Sequence, residues 1–263
     1  MSEQDRQALE LLIDVGNTRC KWQLRDAGGT LLAASVSDSA LSKLPANIFR
    51  DMQRHYPDAS ALQRVRVALV RGAEDQRILN QALAETFNCP IQFAQTQNKT
   101  LGLKNSYSQP SQMGVDRWCA VIAAAAESGI PGAAQAMCVV DAGSAVTIDW
   151  IDPNGRHLGG YITPGYAMQL RTLLSGTGKV FANLKADASS IELASDTHNA
   201  VHSGILASIV SHINGSLDRQ RSRVDGNVRL FLTGGDAELL MPYLQEPLHR
   251  PDLVLDGLAL LLP

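Results

Sequence analysis

The sequence has few aromatic residues, few cysteines, little net charge and no long apolar run. Aromatic residues make up 5% of the 263 residues, and the four cysteines, Cys20, Cys89, Cys119 and Cys138, lie far apart. They form no CxxC pair and have no histidine at a zinc-site spacing, so we expect reduced thiols and no structural zinc. The alanine-rich run that contains Cys119–Ala126 is far shorter than the ~18 residues of a transmembrane helix, so we expect no membrane partner.

The net charge and the first residues of the sequence argue against a nucleic-acid-binding protein and a secreted protein. The net charge of −3 is not the basic footprint that nucleic acid requires, so we expect no nucleic-acid partner. The first residues are polar and acidic, without the basic and apolar segments of a secretion signal, and this predicts a cytoplasmic protein. With 45% apolar and 19% charged residues, the composition is that of a folded globular protein and not of a disordered one.

Two segments of the chain share one pattern. In the first, a short apolar run ends in Asp14 and Gly16, and residues 19–25 then alternate between polar and apolar. In the second, an apolar run ends in Asp141 and Gly143, and alternation follows again. Alternation is typical of a half-buried strand, so each segment predicts a hairpin with Asp-x-Gly at its turn. Because the two turns are separated by close to half of the chain, the sequence predicts a duplicated protein.

The rest of the chain alternates between helical and strand patterns. Together with the hairpins this predicts the α/β class, with domains at residues 1–112 and 113–263. A polar stretch at residues 95–112 predicts a long loop, and the pattern does not decide whether residues 253–262 pack on the first domain. Predicted helices lie at 42–55, 76–87, 115–127, 165–174 and 198–217, and predicted strands at 31–36, 65–70, 91–94, 159–163 and 228–233.

Each Asp-x-Gly turn could carry chemistry. The backbone N–H groups of such a turn can hold phosphate oxygens, and its carboxylate can hold a Mg²⁺ ion that bridges those phosphates. The alternative for a single turn is an ordinary hairpin. Two such turns, with Gly234 and Gly235 before a further helix, favour nucleotide binding.

A third acidic residue stands where the long loop meets a predicted helix. Asp116 falls in the first helical turn, after Gly114 and next to Arg117. This spacing suits a helix cap that interacts favourably with the helix dipole. It equally suits a general base with an anion-binding arginine in a phosphoryl-transfer enzyme, and the sequence leaves both interpretations open.

Taken together, four motifs resemble those of type III pantothenate kinases, in the same order and at similar separations. These kinases belong to the superfamily of sugar kinases, actin and heat-shock ATPases. The resemblance therefore implies two ribonuclease-H-like lobes with a nucleotide cleft between them. The motifs are Asp14–Thr18, Gly114–Arg117, Asp141–Thr147 and Gly159–Gly165.

The same resemblance implies ATP-dependent phosphorylation of pantothenate to 4'-phosphopantothenate, the first committed step of coenzyme A biosynthesis. Asp116 would be the catalytic base, Asp14 would reach Mg²⁺ through water, and Asp141 would bind K⁺ or NH₄⁺. Family members are homodimers. The implied ATP-binding residues are Asp14, Val15, Gly16, Asn17, Thr18, Arg19, Cys20, Lys21 and Ser144, the last in place of the usual threonine. The implied pantothenate-binding residues are Tyr107, Gly114, Val115, Asp116, Arg117 and Thr197.

Two other functions fit the same motifs. One is a kinase of this superfamily that acts on another small hydroxyl substrate. The other is a non-catalytic, actin-like regulator that binds a nucleotide and a partner. A regulator has no need of a base beside its phosphate loop, so the presence of Asp116 favours an enzyme.

Overall fold

The computed structural model describes residues 8–37, 40–56, 62–176, 190–221 and 228–262. The chain forms two units. The first comprises Met1–Asn98, Gln109–Ala123 and Leu253–Pro263, and the second comprises Lys99–Ser108 and Ala124–Asp252. The units are interleaved in sequence, and a single domain boundary after residue 112 stays a prediction.

The first unit is built on a five-stranded sheet of order β3-β2-β1-β4-β5. Its strands are β1 (Leu9–Val15), β2 (Cys20–Asp26), β3 (Leu31–Ser37), β4 (Leu62–Leu69) and β5 (Ile91–Phe93). The first three strands pair antiparallel, whereas β4 pairs parallel with both β1 and β5. The predicted hairpin is confirmed, because Val15 pairs with Cys20 across its turn.

The second unit repeats this arrangement. After a small ribbon of β6 (Lys99–Thr100) and β7 (Leu103–Lys104), its main sheet has the order β10-β9-β8-β11-β12. Its strands are β8 (Ala136–Ala142), β9 (Ala145–Ile151), β10 (His157–Pro164), β11 (Val228–Thr233) and β12 (Leu248–His249). Strand order and directions match those of the first sheet, so the predicted duplication is confirmed.

Seven α-helices are described, and they include the five predicted by range and the further helix predicted after Gly235. They are α1 (Leu44–His55), α2 (Ala73–Thr86), α3 (Val115–Ser128), α4 (Tyr166–Gly176), α5 (Thr197–Arg221), α6 (Ala237–Leu240) and α7 (Leu253–Leu261). No helix in the described part of the chain combines the length and apolarity needed to cross a bilayer. The helix α3 contains the boundary between the two units.

The prediction of one continuous loop at residues 95–112 is wrong. This segment contains β6, β7 and a short 3₁₀ helix at Pro110–Gln112. Strands of two residues are too short to show a hydrophobic period. Their position depends on a contact that is distant in sequence, because the N–H of Lys104 donates to the carbonyl of Gly155 at 2.8 Å.

The central strand β1 is buried on both faces. Leu11 and Ile13 belong to a cluster with apolar residues of α1 and α2, and Leu12, which points to the other face, is fully buried as well. The helix α7 contacts β1 and β4. A strand that is covered on both faces has a continuous apolar sequence instead of an alternating one, as residues 11–13 do.

The helix α7 belongs to the first unit, a point that the sequence left open. The guanidinium of Arg66 on β4 donates to the carbonyl oxygens of Ala259, at 2.7 Å, and of Leu262. The Arg25 guanidinium makes an ion pair with Asp256 at 2.6 Å. Gly257 lies so close to α3 that a Cβ there would overlap the carbonyl oxygen of Cys119. The last helix is therefore docked by hydrogen bonds from Arg66, by one ion pair and by a close backbone contact.

We expect Gly257→Ala to lower the free energy of unfolding by about 1–3 kcal/mol, because the added methyl group forces α7 away from α3. Urea denaturation followed by circular dichroism measures this. Gly204→Ala is the matched control, because Gly204 lies inside α5 and a Cβ there meets nothing within 4 Å. That control should raise stability by about 0.5–1 kcal/mol. Equal effects of the two substitutions would contradict the close packing of α7 on α3.

Candidate functional site

The turn between β1 and β2, residues 16–19, is a tight and exposed structure. The N–H of Gly16 donates to the carbonyl of Arg19 at 3.0 Å, and Asn17, Thr18 and Arg19 are exposed. Asp14 is half-buried at the end of β1, directly before this turn. All predicted ATP-phosphate residues from Asp14 to Lys21 therefore lie on the turn or on the strand ends that flank it.

Arg71, which is not among the residues predicted from the sequence, holds this turn. Its Nε and Nη2 donate to the carbonyl of Gly16 at 3.2 and 2.9 Å, and Nη2 also donates to the carbonyl of Asn17 at 3.0 Å. Arg71 follows β4, which runs parallel to β1. Neighbouring parallel strands end at the same edge of a sheet. A basic residue directly after β4 was therefore the sequence signal that could have indicated a side chain beside the turn after β1.

Two charged side chains affect the pKa of the Cys20 thiol at the start of β2. Burial raises its pKa most, the Asp14 carboxylate raises it further, and the Arg71 guanidinium lowers it. A neutral thiol is therefore kept beside one anionic and one cationic side chain. Cys20 is buried, so it forms part of the base of the turn.

Asp116 lies in the first turn of α3, as predicted. Its Oδ1 accepts a hydrogen bond from the N–H of Arg117 at 2.7 Å, at the helix end where the dipole favours negative charge. A Cβ at Gly114 would come within 2.5 Å of the same oxygen, so a larger residue there would displace the carboxylate from this position. The preceding segment is held by the Thr96 hydroxyl, which donates to the carbonyl of Met113 at 2.8 Å.

The start of α3 lies beside the ends of β1 and β4 within the first unit, because a Cβ at Gly114 would lie 3.8 Å from Val70 Cγ1 and the N–H of Val70 donates to the carbonyl of Val15 at 3.4 Å. The thiol of Cys119 lies one helical turn after Asp116, and its pKa is raised by burial and then by the charges of both Asp14 and Asp116. Asp14 directly precedes Val15 and Asp116 follows Gly114 by two residues, so both carboxylates belong to this edge of the first sheet. Two carboxylates beside a turn rich in backbone N–H groups can divide two tasks, one supporting a cation and the other accepting a proton.

In the second unit, the turn between β8 and β9 carries Asp141 and Ser144. The N–H of Gly143 donates to the carbonyl of Ala145 at 2.9 Å, and the N–H of Gly165 donates to the carbonyl of Ser144 at 3.0 Å. A Cβ at Gly165 would overlap the carbonyl oxygen of Gly143. The last glycine of the Gly159–Gly165 motif is therefore explained by its close approach to this turn.

Gly234 lies against Asp141. Gly234 follows β11, which runs parallel to β8, and has φ of +96°. A Cβ there would come within 2.5 Å of Asp141 Oδ1 and would overlap the carbonyl of Ala142. These two oxygen atoms are hard ligands of the kind that monovalent and divalent hard cations prefer, so the donor set at Asp141 fits such a cation.

Among the residues that the structure describes, no three His, Cys, Asp or Glu side chains group into a metal site. A Mg²⁺ ion that bridges phosphates needs only one or two carboxylates, because the phosphates and water supply the other ligands. The half-buried carboxylate of Asp14, next to the backbone groups of the turn, fits that requirement.

The two remaining predicted residues, Tyr107 and Thr197, lie in the second unit. The Tyr107 ring stacks on the His157 ring with centroids 6.2 Å apart. His157 begins β10 and Pro164 ends it beside Ala145, so Tyr107 and Ser144 lie at opposite ends of this strand. Thr197 is the exposed first residue of α5, whose start is capped by Asp196 through the N–H of Asn199 at 2.9 Å.

Comparison with known proteins agrees with this geometry. A family model described as type III pantothenate kinase matches residues 10–219. A type III pantothenate kinase from Nitrosococcus oceani is 32% identical over 250 residues, which cover 95% of this chain and 92% of that protein. One from Alcanivorax borkumensis is 32% identical over 249 residues, covering 94% and 96%.

A solved structure shows the same fold at low identity. Component A of (R)-2-hydroxyglutaryl-CoA dehydratase from Acidaminococcus fermentans superposes with a TM-score of 0.54 at 15% identity, over 97% of this chain and 96% of that one. The matching order of motifs, the repeated sheet and the sequence relatives agree. This chain belongs to the type III pantothenate kinase family.

Proposed function

We propose that this chain transfers the γ-phosphoryl group of ATP to the primary hydroxyl of pantothenate and forms 4'-phosphopantothenate. The observation that carries the proposal is that the start of α3, with Asp116 in its first turn, lies beside the ends of β1 and β4, where Asp14 stands. Phosphoryl transfer needs little covalent chemistry from the protein and depends on positioning and electrostatic stabilisation. Two positioned carboxylates and a backbone-rich turn meet that need.

Asp116 takes the proton of the attacking hydroxyl in this proposal. Its carboxylate is held at the first turn of α3 by the N–H of Arg117, so little reorientation is needed when the substrate binds. The backbone of residues 15–21 orients the ATP phosphates, and Ser144 contacts ATP. Arg117, which is 4% exposed, supplies a fixed positive charge for an anionic substrate. Tyr107, Gly114, Val115 and Thr197 contact pantothenate.

Two cations complete the proposal. Asp14 holds Mg²⁺ through water, and Asp141 holds K⁺ or NH₄⁺. When bound, such cations neutralise charge on the phosphates. The homodimer and the cytoplasmic location stay predictions.

Purified protein with ATP, Mg²⁺ and K⁺ tests the activity directly. We expect ADP release that depends on pantothenate and weakens when Na⁺ replaces K⁺. Release with a sugar acceptor but not with pantothenate would indicate a different kinase. ATP binding without turnover on any acceptor would indicate a regulator.

We expect Asp116→Asn to lower kcat by about 10²–10⁴-fold, because the general base is lost, while the KM for ATP stays close to that of the wild type. Asp75→Asn is the matched control, because Asp75 also lies in the first turn of a helix but has no role in the proposed reaction. Steady-state kinetics on both variants measures the difference. Near-normal turnover by Asp116→Asn would refute the assignment of the base.

We expect Arg71→Gln to raise the KM for ATP about tenfold, because hydrogen bonds from a charged donor hold the turn at residues 16–19. Arg77→Gln removes an exposed arginine whose partner is Glu74 on the same helix, and it should leave the KM unchanged. The two variants are compared by titrating ATP at saturating pantothenate. If both behave like the wild type, Arg71 does not organise the phosphate-binding turn.

A further inference from the structure

A buried polar chain in the second unit has no part in the function described so far. His157 Nε2 lies 3.0 Å from Asp149 Oδ1, and these side chains are 0% and 2% exposed. On the other side of the ring, His157 Nδ1 lies 3.0 Å from the hydroxyl of Ser106, a residue that is exposed. A buried carboxylate is thus connected through an imidazole to a hydroxyl at the surface.

The order of donors along this chain follows from the carboxylate. The carboxylate of Asp149 accepts hydrogen bonds, so His157 Nε2 donates to it and Nδ1 accepts from the Ser106 hydroxyl. This tautomer is assigned from the hydrogen-bond pattern. With its proton directed at His157, the Ser106 oxygen has lone pairs with which to accept a hydrogen bond from a ligand.

The segment around Ser106 is held at several successive residues. The N–H of Tyr107 donates to Oδ1 of Asn105 at 2.9 Å. The ring of Tyr107 stacks on His157 at an interplanar angle of 19°. Gly155, in the turn before His157, packs on the carbonyl of Gly102 so closely that a Cβ would come within 3.0 Å of it. One imidazole therefore orients both the hydroxyl of Ser106 and the ring of Tyr107.

Stability alone is a weak reason for this arrangement. Burying an ionisable pair costs desolvation energy, and apolar residues of similar volume often serve the fold as well. A contrasting polar pair in the same unit lies wholly inside the core, where Trp150 Nε1 donates to Ser216 Oγ at 3.1 Å. The hydrogen-bonded series from Asp149 through His157 instead ends at the exposed hydroxyl of Ser106, beside the half-buried ring of Tyr107.

We propose that Asp149 and His157 are positioning residues that hold Ser106 and Tyr107 for pantothenate, with Ser106 Oγ accepting a hydrogen bond from the substrate. Pantothenate carries suitable donors, an amide N–H and hydroxyl groups. This inference rests on the proposed function, in which Tyr107 contacts pantothenate. It adds Ser106 as a specificity-determining residue, with the two buried side chains acting through it.

Kinetics on Ser106→Ala, Asp149→Asn and their double variant tests the inference. We expect each single substitution to raise the KM for pantothenate about 3- to 10-fold, as the loss of one hydrogen bond implies. The values of kcat and of the KM for ATP should stay within about twofold of the wild type, a split expected when ground-state and transition-state binding weaken equally. In Asp149→Asn an uncharged amide replaces the carboxylate as the partner of His157 Nε2, so the hydrogen bond that orients the ring toward Ser106 is weakened.

The double variant separates positioning from simple structural support. If Asp149 acts only through His157 and Ser106, the double variant should raise the KM for pantothenate no more than the larger of the two single substitutions does. The effects of substitutions at interacting residues do not add. Ser108→Ala is the matched control, because Ser108 is an exposed serine two residues away, and it should leave the KM unchanged. Thermal melting shows whether each variant is folded. If Asp149→Asn does not fold, the KM of Ser106→Ala for pantothenate tests the proposal by itself.

An unchanged KM for pantothenate in Ser106→Ala, an equal rise in Ser108→Ala, or additive effects in the double variant would overturn the inference while the proposed function stands. A wild-type protein that does not phosphorylate pantothenate would overturn both. The two failures are therefore distinguished by the wild-type reaction alone.

Discussion

The parallel pairing of each central strand with one neighbour is the constraint on which both candidate turns depend. In the first unit β1 ends one residue after Asp14. Arg71, which follows the parallel strand β4, donates hydrogen bonds to the turn after β1. In the second unit β8 ends near Asp141, and the parallel strand β11 delivers Gly234 to that carboxylate. Strand ends of open α/β sheets are where ligands bind, because several loops meet there.

The duplicated units use this shared geometry differently. In the first unit the cationic side chain of Arg71 donates to backbone carbonyls of the turn. In the second unit Gly234 has no Cβ, and this leaves space beside the oxygen atoms of Asp141 and Ala142. In the proposed function, the first arrangement keeps the phosphate-binding turn rigid and the second leaves room for a cation. Two copies of one fold can thus specialise, because the neighbouring strand decides what stands beside the carboxylate.

The start of α3 shows how a long-range contact can support a local site. The Asp116 carboxylate takes its position from the small Gly114 and from the first helical turn, both of which are local. The same helix is packed one turn later against Gly257 of α7, and α7 is anchored to the sheet through Arg66. The last residues of the chain therefore support the helix that carries the proposed base.

Sequence pattern by itself determined the two hairpins, the duplication, the five longer helices and the first-turn position of Asp116. Each of these depends on residues that are close in sequence, where alternation, helical spacing and glycine turns carry the information. Only the tertiary structure decided that Arg71 holds the first turn, that α7 packs on β1, and that Asp149, His157 and Ser106 form one chain. Those contacts join residues far apart in sequence, and strand pairing and helix packing bring them together, which no local pattern records.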